Sequence, residues 1–174
     1  MTLELGQSDD PVALVPGSPS SLHARAAEWQ RAATAAEDVA QAIEGIAVPD
    51  GWTGEAASAF TARLKSLPAV WSEYADACGK AAVILMDYAD SLIVAQSQAA
   101  EAIAKWNHGE RETARAHRET ADATKRFWMK LPGPAAGIPI FVDFGAAHRK
   151  EAQEILSNAR TIVRDEGDAA AGRL

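Results

Sequence analysis

The triplet Trp52-Thr53-Gly54 stands between two alanine-rich stretches of helical pattern, residues 22–47 and the run Glu55-Ala56-Ala57-Ser58-Ala59-Phe60. A chain that leaves one amphipathic helix and enters another through such a triplet is predicted to fold back as a helical hairpin. Gly54 lacks the Cβ that restricts φ, so it permits a tight turn. Trp52 offers a large apolar face to lay across the hairpin end. Just ahead, Pro49-Asp50-Gly51 forbids the first helix from continuing.

The leader, residues 1–18, holds Asp9-Asp10-Pro11 and Pro16-Gly17-Ser18-Pro19, which resist regular structure. It is predicted to be extended and to end at Ser18 as an N-cap, with Pro19 at the first helical position. Leu3, Leu5, Val12, Leu14 and Val15 make it more apolar than a disordered tail requires. It is therefore expected to dock on the third helix or the last one, the alternative being a mobile terminus. The first helix is predicted over residues 19–46, where Leu22, Ala26, Trp29, Ala33, Ala36, Ala40 and Ile43 share one face. The second starts near Gly54 with Thr53 as cap, and Pro68 is expected to kink or break it.

The strongest periodicity follows. Trp71, Tyr74, Cys78, Ala81, Leu85, Tyr88, Leu92, Ala95, Ala99, Ala102 and Trp106 alternate steps of three and four. A repeat of 3.5 residues specifies a supercoiled seam with another helix. Large side chains lie at its ends and alanines near its middle, so close approach is expected there. The helix is expected to continue past Asn107-His108-Gly109 to about Phe127 rather than reverse. Residues 131–145, with Pro132, Pro134 and Pro139, read as a packed connector anchored by Trp128. The last helix is predicted over residues 146–166, with Ala152, Ile155, Leu156, Ala159, Ile162 and Val163 apolar and residues 167–174 frayed. The fold class is all-α: an elongated helical bundle built on the hairpin, with a long coiled-coil-like third helix and a C-terminal helix. The layout is a leader (1–18), a hairpin with long helix (19–130) and a connector with final helix (131–174), one domain overall.

Composition narrows the function. A net charge of −7 argues against nucleic acid as partner. The local excess of basic residues in 105–130 reads as a solvated helix end. Cys78 is the sole cysteine, so no internal disulfide forms, and its place on the apolar stripe makes it core. The start Met1-Thr2-Leu3-Glu4-Leu5 lacks the basic and apolar regions of a Sec signal peptide. No apolar run spans a bilayer, so membrane insertion is not expected. His23, His108, His117 and His148 show no metal-ligand spacing. Neither a Walker motif nor a nucleophile elbow is present. Nothing supports an enzyme, and no metal or cofactor is expected. The stripe of Trp29, Trp71, Tyr74, Tyr88 and Trp106 reads as packing in a core, not as a ligand cavity.

Four segments carry a resemblance. "LELGQSDDPVALVPGSPSSL", "GWTGEAASAF", "YADSLIVAQSQAAEAI" and "FVDFGAAHRKEAQEILSNAR" occur in the order and spacing of the N-terminal domains of actinobacterial type VII secreted polymorphic toxins. The chain resembles that family over nearly its whole length. The resemblance implies a non-enzymatic leader and interaction module, related to WXG helical hairpins, that directs a C-terminal toxin or itself for export. It implies a turn motif at Trp52 and Gly54 and an interaction seam at Trp71, Tyr74, Cys78, Leu85, Tyr88, Leu92 and Trp106. The partners implied are a small WXG-type helical protein or a second copy, and the type VII secretion machinery. The protein would be cytoplasmic before export and secreted by a non-Sec route. The alternative is a non-exported adaptor or chaperone-like partner of a WXG-family protein. The family's Tyr-x-x-x-Asp/Glu signal is not matched: Tyr74 is followed four residues on by Cys78, and Tyr88 by Leu92. A partner would then supply that signal.

Overall fold

The computed structural model describes residues 3–129 and 139–174. The chain is all-α, with helices α1 (Pro11–Leu14), α2 (Pro19–Glu44), α3 (Glu55–Met129) and α4 (Ala146–Arg173) and no strand among the described residues. They form two compact units. The hairpin unit comprises Ser18–Ser91 and Asp165–Leu174; the leader unit comprises the described residues of Met1–Gly17 and Leu92–Arg164. Most of the connector (131–138) lies outside the described residues.

In the hairpin unit, α2 opens as its sequence dictates. The Ser18 hydroxyl accepts from the Ser21 N–H, and Pro19 fills a first-turn position that needs no amide hydrogen. Ala26, Ala33, Ala36 and Ala40 are its buried face. The helix stops at Glu44, two residues short of the predicted end, because Gly45 caps it. Residues 45–54 then reverse the chain.

Of the kink or break expected at Pro68, α3 shows no break: it runs on through the proline. An internal proline forfeits one helical hydrogen bond and clashes with the carbonyl four residues back, at a local cost of about 3 kcal/mol. Burial outweighs it: Pro68 is itself buried, between buried Ala57 and Ala75. The buried register of α3 also differs from the one read from the sequence. Ala75, Cys78, Ala82, Ala89 and Leu92 are buried. Cys78 and Leu92 belong to both readings, whereas Tyr74, Ala81 and Tyr88 lie one position off the buried line. Alanine lets two helix backbones approach closely, and a tyrosine ring at the same level cannot enter that gap. The rings stay at the flank, and Tyr74 is 50% exposed.

α4 continues to Arg173 instead of ending at residue 166. Its last turns are packed, not frayed. Ala170 is buried, Gly167 lies against the Tyr88 ring, and Arg173 Nη1 stands 3.8 Å from the Asp87 carboxylate. The run Ala169-Ala170-Ala171 has the highest helix propensity available, which favours this extension.

In the leader unit, Ala95, Ala99, Ala102, Ile103 and Ala116 of α3 are buried, as are Ala152, Leu156 and Ala159 of α4. The leader supplies Leu5, Leu14 and Val15 to this core. It is docked, as its apolar content predicts, but it is not extended throughout. Asp10 accepts from the Val12 N–H and starts α1, with Pro11 at the first position. An Asp-Pro pair that forbids a long helix is well suited to open a short one.

Candidate functional site

The reversal between α2 and α3 rests on two glycines. Gly51 has φ +79° and Gly54 φ +101°, conformations strained for residues with a Cβ. The Trp52 N–H donates to the Pro49 carbonyl (3.3 Å), and the Ser58 N–H donates to the Gly54 carbonyl (3.1 Å), which starts α3. The Trp52 ring packs 5.3 Å from Phe60 at a tilt of 52°. Behind this turn is an open groove of about 570 Å³, with Ile43, Ile46 and Val48 on one side and Leu64 and Pro68 on the other.

The same unit leaves large apolar side chains in solvent. Trp29, Ile46, Trp52, Phe60, Val70, Trp71, Tyr74, Val83 and Met86 are all exposed. The Trp71 and Tyr74 rings form an edge-to-face pair with centroids 6.2 Å apart. Trp29 and Trp71 are therefore not core residues, contrary to the packing expected of the aromatic stripe. Scattered apolar residues are ordinary on a surface; the Trp71–Tyr74 pair is the one place in this set where two exposed aromatic rings three residues apart meet on α3.

The sequence-derived seam is divided by the fold. Trp71 and Tyr74 are exposed in the hairpin unit; Cys78 is buried there, and Leu85 and Tyr88 are half-buried. Leu92 is buried in the leader unit, where Trp106 is half-buried beside Gly6. Trp128 is 63% exposed and pairs with Phe127, so no anchoring of the connector is seen in the described residues.

A second cluster, in the leader unit, escaped sequence reading. The segment before α4 ties Phe141 and Asp143 to α3. Phe141 stacks on His117 with centroids 3.9 Å apart. The Thr113 hydroxyl donates to Asp143 Oδ1, the Gly145 N–H donates to the same oxygen (3.0 Å), and the Arg149 guanidinium bonds Asp143 Oδ2 and Thr113. Arg149 Nε also pairs with Glu110 at 3.4 Å. The Thr113 bond, with Arg149 and the Gly145 amide assisting, holds the Asp143 carboxyl below the ordinary aspartate range. Gly109 makes this possible. A Cβ at Gly145 would lie 1.9 Å from the Gly109 carbonyl oxygen, so only two glycines permit the backbones to meet. The helix continues past Gly109 as expected, and Gly109 is also a contact point; its partner 36 positions away was the missing signal.

This network is structural in character. The Asp143 carboxylate is committed to a guanidinium and a hydroxyl. His108 and His148 approach edge to face at 4.6 Å, but no group of three or more metal-capable side chains occurs among the described residues. No helix among them is long and apolar enough to cross a membrane.

Residues 2–174 match one family model, described as "Putative T7SS secretion signal domain". No curated protein and no solved structure matches the chain.

Proposed function

The chain belongs to this family of type VII secretion signal domains, which supports a role in targeting to that export route and association with its machinery, and we propose that it does so as a non-enzymatic leader carrying a partner-binding hairpin. The observation that carries the partner surface is the exposed aromatic and aliphatic set of the hairpin unit, centred on the Trp71–Tyr74 pair and the groove behind Trp52. Rigid aromatic side chains in solvent are the groups that dominate binding energy once covered. The partner that fits is a small WXG-type helical protein, whose apolar helix face would lie along the hairpin. Cys78 and Leu85 would support that surface from within the hairpin unit, where Tyr88 stands beside α4, while Leu92 and Trp106 belong to the leader unit. The cargo is a toxin domain joined to this module, or the module itself, held in the cytoplasm before export.

The test is co-purification of the full chain with a small WXG-type helical protein co-expressed with it. Trp71→Ser with Tyr74→Ser should abolish a stable complex while leaving helix content intact. Retention of full affinity by that double variant would remove the hairpin surface from the account.

A further inference from the structure

The leader is held by contacts of a kind usually found between a receptor and a peptide. Arg160 of α4 donates to the Leu14 carbonyl (3.2 Å), to the Leu3 carbonyl, and to the Glu4 carboxylate (2.9 and 3.2 Å). Gln96 of α3 donates to the Val15 carbonyl (3.1 Å) and the Gly17 carbonyl (3.0 Å). Asn107 donates to the Asp9 carboxylate (2.9 Å). Two side chains from two helices thus read four main-chain carbonyls. Main-chain bonds give a groove affinity for an extended segment, and pockets for particular side chains give it selectivity.

Selectivity is built in at defined positions. Leu14 and Val15 are 0% and 2% exposed, and Leu5 is buried nearby in sequence order. Gly17 lies against Leu92, where an added Cβ would come within 2.5 Å of the Leu92 side chain. Gly6 lies against Trp106, with 3.1 Å from an added Cβ to the indole nitrogen. Both glycines have positive φ, at +145° and +83°. The groove therefore fits a peptide with Leu-Gly near its start and Leu-Val-Pro-Gly at its end.

We propose that the α3/α4 surface under residues 3–17 is a peptide-recognition site, filled by the chain's own leader and able to accept the leader of a second copy. The tethered leader has an effective concentration of about a millimolar, so a free peptide competes poorly until the resident one is weakened. The proposal does not depend on the hairpin partner or on the export route.

The test uses full-length protein and a fluorescent synthetic peptide with the sequence of residues 3–17. Leu14→Ser with Val15→Ser loosens the resident leader. The peptide should bind this variant saturably and at least tenfold more tightly than the wild type. A peptide carrying Gly17→Val should not bind. Absence of saturable binding to the variant, equal binding to both proteins, or equal binding of the Gly17→Val peptide would each overturn the proposal. Should the double variant lose helical circular dichroism, Gln96→Ala with Arg160→Ala takes its place, read by amide exchange. Protection across residues 3–17 should then fall at least tenfold while that of 95–103 is kept; unchanged leader protection overturns the proposal.

Discussion

Alanine replacement at three glycines separates close contact from helix propensity. Gly79 and Gly109 both lie inside α3, so each Gly→Ala gains about 0.5–1 kcal/mol of intrinsic helix propensity. At Gly79 an added Cβ meets nothing within 4 Å. The full gain should appear, raising the melting temperature by about 1–4 °C for a chain of this length. At Gly109 the Cβ would lie 2.8 Å from the Gly145 carbonyl oxygen and 2.9 Å from Arg149 Cγ. Overpacking against backbone costs about 1–3 kcal/mol, which exceeds the propensity gain, so Gly109→Ala should be net destabilising. Gly145→Ala meets the Gly109 oxygen at 1.9 Å and Thr113 Oγ1 at 2.3 Å. With no long side chain to yield, it should reach the top of that range and lower the melting temperature by about 6–12 °C. Thermal unfolding followed at 222 nm reads all three. If Gly79→Ala and Gly109→Ala shift the transition in the same direction by the same amount, the close contact at Gly109 is refuted.

Gly54→Val places a β-branched residue at φ +101°, and although the space is open it should cost about 1–3 kcal/mol of backbone strain, read by urea unfolding. Leu92→Ala, at a position 1% exposed, should cost about 2–5 kcal/mol, whereas a change at exposed Lys80 should stay within about 0.5 kcal/mol in the same assay. Because the folded Asp143 carboxyl lies below its ordinary value, its contribution is fully present above the unfolded aspartate value of about 4 and is lost as pH falls through the lower folded value. Asp143→Asn should therefore flatten the acid limb of a stability-against-pH curve; an unchanged limb would argue against the Thr113–Asp143–Arg149 network.

Much of the fold was legible because local chemistry determined it. Ser18-Pro19 marks the start of α2, the apolar content of the leader anticipated its docking, and the position of Cys78 within a helical stripe placed it in the core. The errors share a cause: a tertiary contact overrode a local rule. Of the kink or break expected at Pro68, the break does not occur, and the proline is buried between Ala57 and Ala75 on a continuous α3. Tyr74 and Tyr88 looked like seam residues because they keep the three-and-four spacing, yet an alanine-lined gap admits Ala75 and Ala89 instead. Residues 167–174 were expected to fray, and packing of Gly167 on Tyr88 is invisible to any one-dimensional pattern. A reversal near Gly54 was legible from the loss of helical pattern after residue 47, but the exposure of Trp71 was not, since an aromatic at helical spacing carries no mark of which side its neighbours cover.

The central claim is that this chain directs export through the type VII route. The most direct measurement fuses a folded reporter to its C-terminus and compares culture medium from otherwise identical cells with and without an active type VII system. The account predicts reporter in the medium only when the system is active, with no release of a cytoplasmic marker. Reporter confined to the cells in both strains, or released equally from both, would contradict it.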